Sequence, residues 1–182
     1  GCRRWQGQPC LEVAVWDDYT DTQYVYRLNF KGEIIGSFVV NLPGSGLDYI
    51  SSVVFDGSYY WVTEPDADES KVYKLNNSGA VLASFIVNRT GRANGICKQG
   101  DFLWLSLDDF HGNFYGACKA RPNGSIAASF SNRRFTQFTY DCTFDGKYLW
   151  LVTYNKMVYC CDVSNAPAVA PASVGRIKAL YR

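Results

Sequence analysis

Ile50-Ser-Ser-Val-Val-Phe-Asp-Gly57 followed by Tyr59-Tyr-Trp-Val-Thr63 returns as Tyr140-Asp-Cys-Thr-Phe-Asp-Gly146 followed by Tyr148-Leu-Trp-Leu-Val152. Asn94-Gly-Ile-Cys-Lys-Gln-Gly100 followed by Phe102-Leu-Trp-Leu-Ser106 is the copy between them. A second half-unit recurs as well: Val25-Tyr-Arg-Leu-Asn29, Gly32 and Gly36-Ser-Phe-Val39 match Val72-Tyr-Lys-Leu-Asn76, Gly79 and Ala83-Ser-Phe-Ile86, and Gly124 with Ala128-Ser-Phe130 continues the series. Trp61, Trp104 and Trp150 are spaced by 43 and 46 residues, and Phe38, Phe85 and Phe130 by 47 and 45, so the period is about 45. A fixed period of that length is the mark of a repeat architecture.

Within one period the pattern predicts strand A ending at Asp-Gly, a tight turn, strand B carrying the Trp, a variable loop, strand C with Val-Tyr-Lys-Leu, a Gly turn, and strand D with Ser-Phe. Asp-Gly and Asn-Gly between alternating apolar runs are strong hairpin signals. Four antiparallel strands per period describe a propeller blade, so the expected fold is an all-β, four-bladed β-propeller in one domain spanning 1–182. The units run over 48–88, 93–131 and 138–174, with a first unit at 11–41. That first unit begins at strand B, in Leu11-Glu-Val-Ala-Val-Trp16, and Gly175-Arg-Ile-Lys-Ala-Leu-Tyr-Arg182 stands where a strand A would follow the last unit. Closure by Ile177 to Tyr181 pairing with Leu11 to Trp16 is therefore expected, with donation of that strand to a neighbouring molecule as the competing arrangement.

The Asp-Gly-x-x-Leu-Trp-Val and Val-Tyr-Lys-Leu-x-x-x-Gly-x-x-x-x-Ser-Phe pattern resembles the repeat of bacterial and archaeal NHL-type and streptogramin-lyase-like propellers, over about residues 11 to 175. The resemblance implies the architecture. It does not carry the lyase chemistry, because that resemblance requires paired catalytic histidines and His111 is the only histidine.

Composition agrees with strands: 13 Tyr, 11 Phe and 5 Trp among 182 residues, with a single Met. The formal net charge of +1 gives no global attraction to nucleic acid or an anionic membrane. No run of about 18 apolar residues is present to span a bilayer, and the first residues carry no signal-peptide apolar run, so the chain reads as a mature form. Seven cysteines without paired C-x-x-C spacing point to disulfides and an oxidising compartment. Cys2 and Cys10 bracket an N-terminal loop over 1–10 and are the expected local pair; Cys97, Cys118, Cys142, Cys160 and Cys161 receive no partner from sequence. Sequons at Asn76, Asn88 and Asn123 agree with export as a glycoprotein.

Strand B–C loops and D–A connections share one face of a propeller, and the B–C loops are acidic. Asp17, Asp18 and Asp21, then Glu64, Asp66 and Asp68, then Asp108 and Asp109 beside His111, are the candidate ligand or metal residues, with Ca²⁺ as the ion that hard oxygen donors suit. Asp is also a turn residue by mechanism, which accounts for these loops without a ligand. The recurring tryptophans read as packing between sheets, whereas Tyr19, Phe110, Phe114 and Tyr154 are the non-repeating loop aromatics. Basic residues gather at Arg3, Arg4, Arg133, Arg134, Arg176, Lys178 and Arg182. The expected function is a secreted, non-catalytic module that binds a protein or glycan or assembles with copies of itself, with no cofactor. A propeller lyase or hydrolase using the acidic B–C face is the alternative.

Overall fold

The computed structural model describes residues 2–5, 8–43, 49–66, 69–87, 91–108, 115–131, 139–154, 156–164 and 177–179, with the side chains of 2–5, 8, 115 and 177–179 excepted. Sixteen strands lie among these residues, in four antiparallel sheets of four. Sheet 1 holds β1 (Cys2–Trp5), β2 (Gln8–Asp17), β3 (Thr22–Leu28) and β4 (Ile34–Val40); sheet 2 holds β5 (Ser52–Phe55), β6 (Tyr60–Glu64), β7 (Lys71–Leu75) and β8 (Val81–Ile86). Sheet 3 holds β9 (Arg92–Gln99), β10 (Phe102–Asp108), β11 (Tyr115–Ala120) and β12 (Ile126–Ser131), and sheet 4 holds β13 (Thr139–Phe144), β14 (Tyr148–Thr153), β15 (Val158–Asp162) and β16 (Ile177–Ala179). In every sheet the strands lie in chain order.

In sheets 2 and 4 the A–B turn is built by its acidic residue. Asp56 accepts the amides of Ser58 and Tyr59 at 2.9 and 2.8 Å and the Trp61 indole N–H at 2.7 Å. Asp145 repeats the set with Lys147, Tyr148 and Trp150. In sheet 3 Gln99 takes the Trp104 indole alone, at 2.9 Å. The tryptophan ring is thereby laid along its sheet and turned toward the next one.

Three apolar cores follow, one per sheet-to-sheet boundary. Phe38 and Val40 of sheet 1 meet Tyr60, Val62 and Leu75 of sheet 2; Trp61 and Val72 of sheet 2 meet Leu103, Leu105 and Leu107 of sheet 3; Trp104 and Ala117 of sheet 3 meet Leu149 and Leu151 of sheet 4. Where a C–D turn crosses the preceding sheet there is room for glycine alone. A Cβ on Gly79, at φ +88°, would lie 2.0 Å from the Val39 carbonyl oxygen, and one on Gly124 would strike the Phe85 ring. The innermost strands touch too: Ser52 of sheet 2 donates to Asp141 of sheet 4 at 3.0 Å, across Gly95 of the strand between them.

Burial shows the order of the stack. Strand β6 is buried along its whole length and β10 nearly so, because sheets 2 and 3 are covered on both faces. Strand β14 alternates, with Leu149, Leu151 and Thr153 buried and Trp150 only half-buried. The expectation of three equivalent buried tryptophans therefore holds for Trp61 and Trp104 and fails for Trp150. Its indole bond is intact, but no further sheet covers that face among the described residues.

Two expectations about the ends are corrected. The C-terminal strand does not pair with Leu11 to Trp16: Ile177, Lys178 and Ala179 pair with Cys161, Cys160 and Tyr159 as the outer strand of sheet 4. That position was open because the last unit, like the others, needs a strand D. The first sheet's remaining strand comes instead from Cys2–Trp5, so residues 1–10 are not a simple loop. In that hairpin Cys2 stands opposite Leu11 and Cys10 opposite Arg3. A one-residue offset puts the two cysteine positions on opposite faces of the pleat, and Cys10 is a buried free thiol rather than half of a Cys2–Cys10 disulfide.

The contact across Gly95 yields the first prediction. A Cβ there would sit 2.5 Å from the Asp141 Cα and 2.7 Å from the Ser106 hydroxyl, so Gly95→Ala forces β13 away from β9 and disturbs the Ser52–Asp141 bond. Thermal or urea unfolding is expected to show a loss of at least ~1–3 kcal/mol.

Candidate functional site

Of the described acidic residues of the B–C loops, all but Asp18 are drawn into the protein's own hydrogen bonds. Asp17 accepts the Tyr19 and Thr20 amides and the Thr20 hydroxyl at 3.0, 3.4 and 2.8 Å, and these bonds hold its carboxyl below the usual range, the hydroxyl most of all. Asp21 accepts the Trp16 indole at 3.3 Å, Glu64 is buried and accepts the Tyr73 hydroxyl at 2.7 Å, and Asp66 accepts the Glu69 amide at 3.4 Å. Asp108 is buried between Arg92, at 3.1 Å, and the Asn94 amide, at 2.6 Å. Asp18 is exposed. Asp68, Asp109, His111, Phe110 and Phe114 lie outside the described residues, as do Arg133, Arg134, Arg176 and Arg182, and the side chains of Arg3, Arg4 and Lys178 are not described. Among the described residues no three of His, Cys, Asp and Glu gather as a metal site would require.

A buried ionic cluster joins sheets 1 and 2. Glu12 and Arg27 are cross-strand partners at the position where sheets 2 and 3 carry Trp61–Lys74 and Trp104–Lys119. Arg27 donates to the Tyr60 hydroxyl at 3.1 and 2.7 Å, and that hydroxyl donates to Glu12 at 2.5 Å. Burial first, and then Glu12, push the Tyr60 phenol well above its ordinary range. The cluster is shut from solvent, so its chemistry is positional: separating the desolvated pair would strand a buried charge, which ties sheet 1 to sheet 2.

On the opposite face, at the A–B turns, sheets 2 and 3 enclose a groove of about 290 Å³ lined by Asp56, Tyr59, Trp61, Lys74, Lys98 and Phe102 among others. Lys74 lies 3.7 Å from the Tyr59 ring centroid, and Lys98 donates to the Asp56 carbonyl at 2.9 Å. Lys119 repeats the stacking over Phe102 at 4.4 Å. Such cations over aromatic faces make an amphipathic surface. Sequence reasoning favoured the acidic face and missed this one; the signal was the Lys of Val-Tyr-Lys-Leu, opposite the Trp of strand B.

The two outer faces of the stack both expose apolar side chains. Sheet 1 presents Leu11 (41% exposed) and Val13 (38%), with the stacked Tyr24 and Tyr26 rings, 5.4 Å apart, on β3 opposite Val15 and Val13. Sheet 4 presents Val152 (39%), Val158 (41%) and Tyr154 (59%), the last packed edge-on against Tyr140 at 5.8 Å. Tyr19, at 94%, projects from its loop.

No protein-family model matches the chain, and no curated protein matches it. Among solved structures it is similar to a chain in the crystal structure of a nidogen/laminin complex, with a TM-score of 0.57 and 16% identity. The match covers 85% of this chain and 60% of that one. The likeness shows the fold: the sheets have β-propeller architecture.

The Asp56 turn sets a pH dependence. Burial raises its carboxyl pKa, but the bonds from Trp61, Ser58 and Tyr59 and the Lys98 charge outweigh this and leave it depressed. A depressed acid stabilises the fold above the unfolded-state pKa, and that contribution is lost as pH falls through the folded value. Tryptophan-monitored unfolding between about pH 5 and 2 is expected to show this acid loss, reduced in Asp56→Asn.

Proposed function

We propose that the chain is a secreted, non-catalytic, protein-binding module of β-propeller type that assembles head to tail with copies of itself. The observation that carries this is the pair of exposed end faces. Leu11 and Val13 stand where Tyr60 and Val62, Leu103 and Leu105, and Leu149 and Leu151 stand in the later sheets, on the face that meets the preceding sheet. Trp150 and Val152 stand on the face that in sheets 2 and 3 meets the following one. The two end faces are thus halves of an interface the chain already makes internally, and one copy's sheet 4 fits another's sheet 1. A contact between unlike faces propagates, as a filament or a closed ring.

The internal commitments of Asp17, Glu64, Asp66 and Asp108 support reading the acidic loops as turn and core groups rather than as a metal or catalytic site. The nidogen/laminin complex is an assembly in which a chain of this fold takes part, which supports protein partners here; the groove at the A–B turns offers them, or a glycan, a second surface. Four blades closing on themselves within one chain is the rival arrangement for the same two faces.

Light scattering and electron microscopy test the assembly. Wild-type protein is expected to form concentration-dependent oligomers. Val13→Asp and Val152→Asp should each be monomeric alone, and an equimolar mixture should form dimers and stop there, since each variant keeps one competent face. A monomeric wild type at all concentrations, destabilised by Val13→Asp, sinks self-assembly and leaves intramolecular closure. For export, native protein is expected to lose mass on deglycosylation. Asn123 is exposed in its C–D turn, Asn76 caps the equivalent turn of sheet 2 through its Oδ1, and Asn88 lies outside the described residues. An unchanged mass contradicts the glycoprotein reading.

A further inference from the structure

Cys97 on β9 and Cys142 on β13 are brought together at the boundary of sheets 3 and 4. Cys97 is the cross-strand partner of Trp104, and the Cys142 thiol donates to the Trp104 carbonyl at 3.5 Å. Both cysteines thus lie against Trp104, one as its partner across the ladder and the other at its carbonyl. Both are buried in one apolar cluster, and both are free. The repeat says why they meet. Aligned on Gly57, Gly100 and Gly146, Cys97 takes the place of Val54 and Cys142 that of Ile96. Val54 and Ile96 pack together in the core between sheets 2 and 3. The same inter-sheet contact is aliphatic at one boundary and a pair of thiols at the next.

We propose that Cys97 and Cys142 are a disulfide site that locks sheet 3 to sheet 4. The oxidant is an external disulfide of the glutathione class. One protein thiol loses its proton and attacks the external disulfide, giving a mixed disulfide and one released thiol. The second protein thiolate attacks the protein sulfur of that mixed disulfide, forms the Cys97–Cys142 bond and releases the second small thiol. Two protein thiols are oxidised and one external disulfide is reduced. Burial, with Cys97 alongside, pushes the Cys142 thiol well above its ordinary range, so exchange in the folded state is slow; the bond forms while the strands assemble and afterwards resists reductant.

Other pairings are disfavoured by position. Cys118 lies in the core between sheets 2 and 3, and Cys160 and Cys161 are neighbours in one strand and face opposite ways. Cys161 shares the cluster and is the competing partner.

The inference is independent of the assembly reading, since sheets 3 and 4 belong to one chain and the oxidant is added in vitro. Protein refolded in a reduced/oxidised glutathione buffer, alkylated and digested with trypsin is expected to yield one linked pair, residues 93–98 with residues 135–147. The linked form should melt roughly 5–15 °C above the reduced form and keep its bond under reductant until it unfolds. Cys142→Ala should abolish the linked pair. The double variant Cys97→Val with Cys142→Ile, which rebuilds the Val54–Ile96 contact, should fold and melt at a temperature that ignores the redox buffer. Complete alkylation of both cysteines after oxidative refolding overturns the proposal, and so does linkage of residues 93–98 to residues 157–176, which carry Cys160 and Cys161.

Discussion

The bond between a strand B indole and the acceptor five residues before it, at the A–B turn, is the constraint on which the architecture rests. A tryptophan on a sheet face has several rotamers open to it, and only one lays the ring flat enough for another sheet to approach. Asp56 and Asp145 remove that freedom, because the carboxylate that holds the indole also accepts two turn amides and cannot move without undoing the hairpin. Gln99 supplies the same acceptor without the turn amides among its described bonds. Local turn chemistry and inter-sheet packing are thus one device. The fixed ring meets the strand D phenylalanine of its own sheet, Trp61 with Phe85 and Trp104 with Phe130, and presents a rigid surface to the leucines of the next.

Sheet 1 shows what happens without the device. Its equivalent position is Glu12, paired with Arg27, and the sheet docks through the Tyr60 hydroxyl instead of an indole ring. An aliphatic boundary tolerates sliding, since dispersion contacts are non-directional. A buried glutamate and arginine sharing one hydroxyl do not tolerate it, since any slip strands a charge without its bond at a cost of several kcal/mol. The first boundary is therefore registered by polarity and the later ones by shape.

The repeat was legible because its residues are doubly determined. The Asp-Gly turn, the Trp and the Ser-Phe strand each answer to a local rule and to a packing rule, and the period followed from them. The ends were not legible, for the converse reason. Cys2–Trp5 and Ile177–Ala179 carry no repeat signature, and which edge a short strand joins is decided by where the sheets leave a vacant ladder. The assumption that the first unit lacked a strand went wrong there, and the Cys2–Cys10 pairing failed on a one-residue offset that spacing does not encode. The acidic loops looked like a site because charge in a loop reads the same whether it binds a ligand or a turn amide; Asp17 and Asp108 show the second use. The Cys97–Cys142 contact was implicit in the alignment with Val54 and Ile96, but it appears only once both faces of strand A are assigned to their neighbouring sheets.

A stack of layers has nearest-neighbour energetics, each boundary stabilising the two sheets it joins, so the terminal layers hold half the stabilisation of the central ones unless capped. Capping layers in repeat proteins turn a polar outer face to water. Sheets 1 and 4 do not: Val13 beside the tyrosines of β3, and Val152 beside Val158 and Tyr154, are the outward residues. On sheet 1 Leu11 and Val13 fall on the repeat positions that Tyr60 and Val62, Leu103 and Leu105, and Leu149 and Leu151 bury at the internal boundaries. The alternation that buries Leu149 and Leu151 on one side of β14 necessarily turns Trp150 and Val152 to the other. The outward faces of sheets 1 and 4 are therefore the ones that the proposed head-to-tail assembly would bring together.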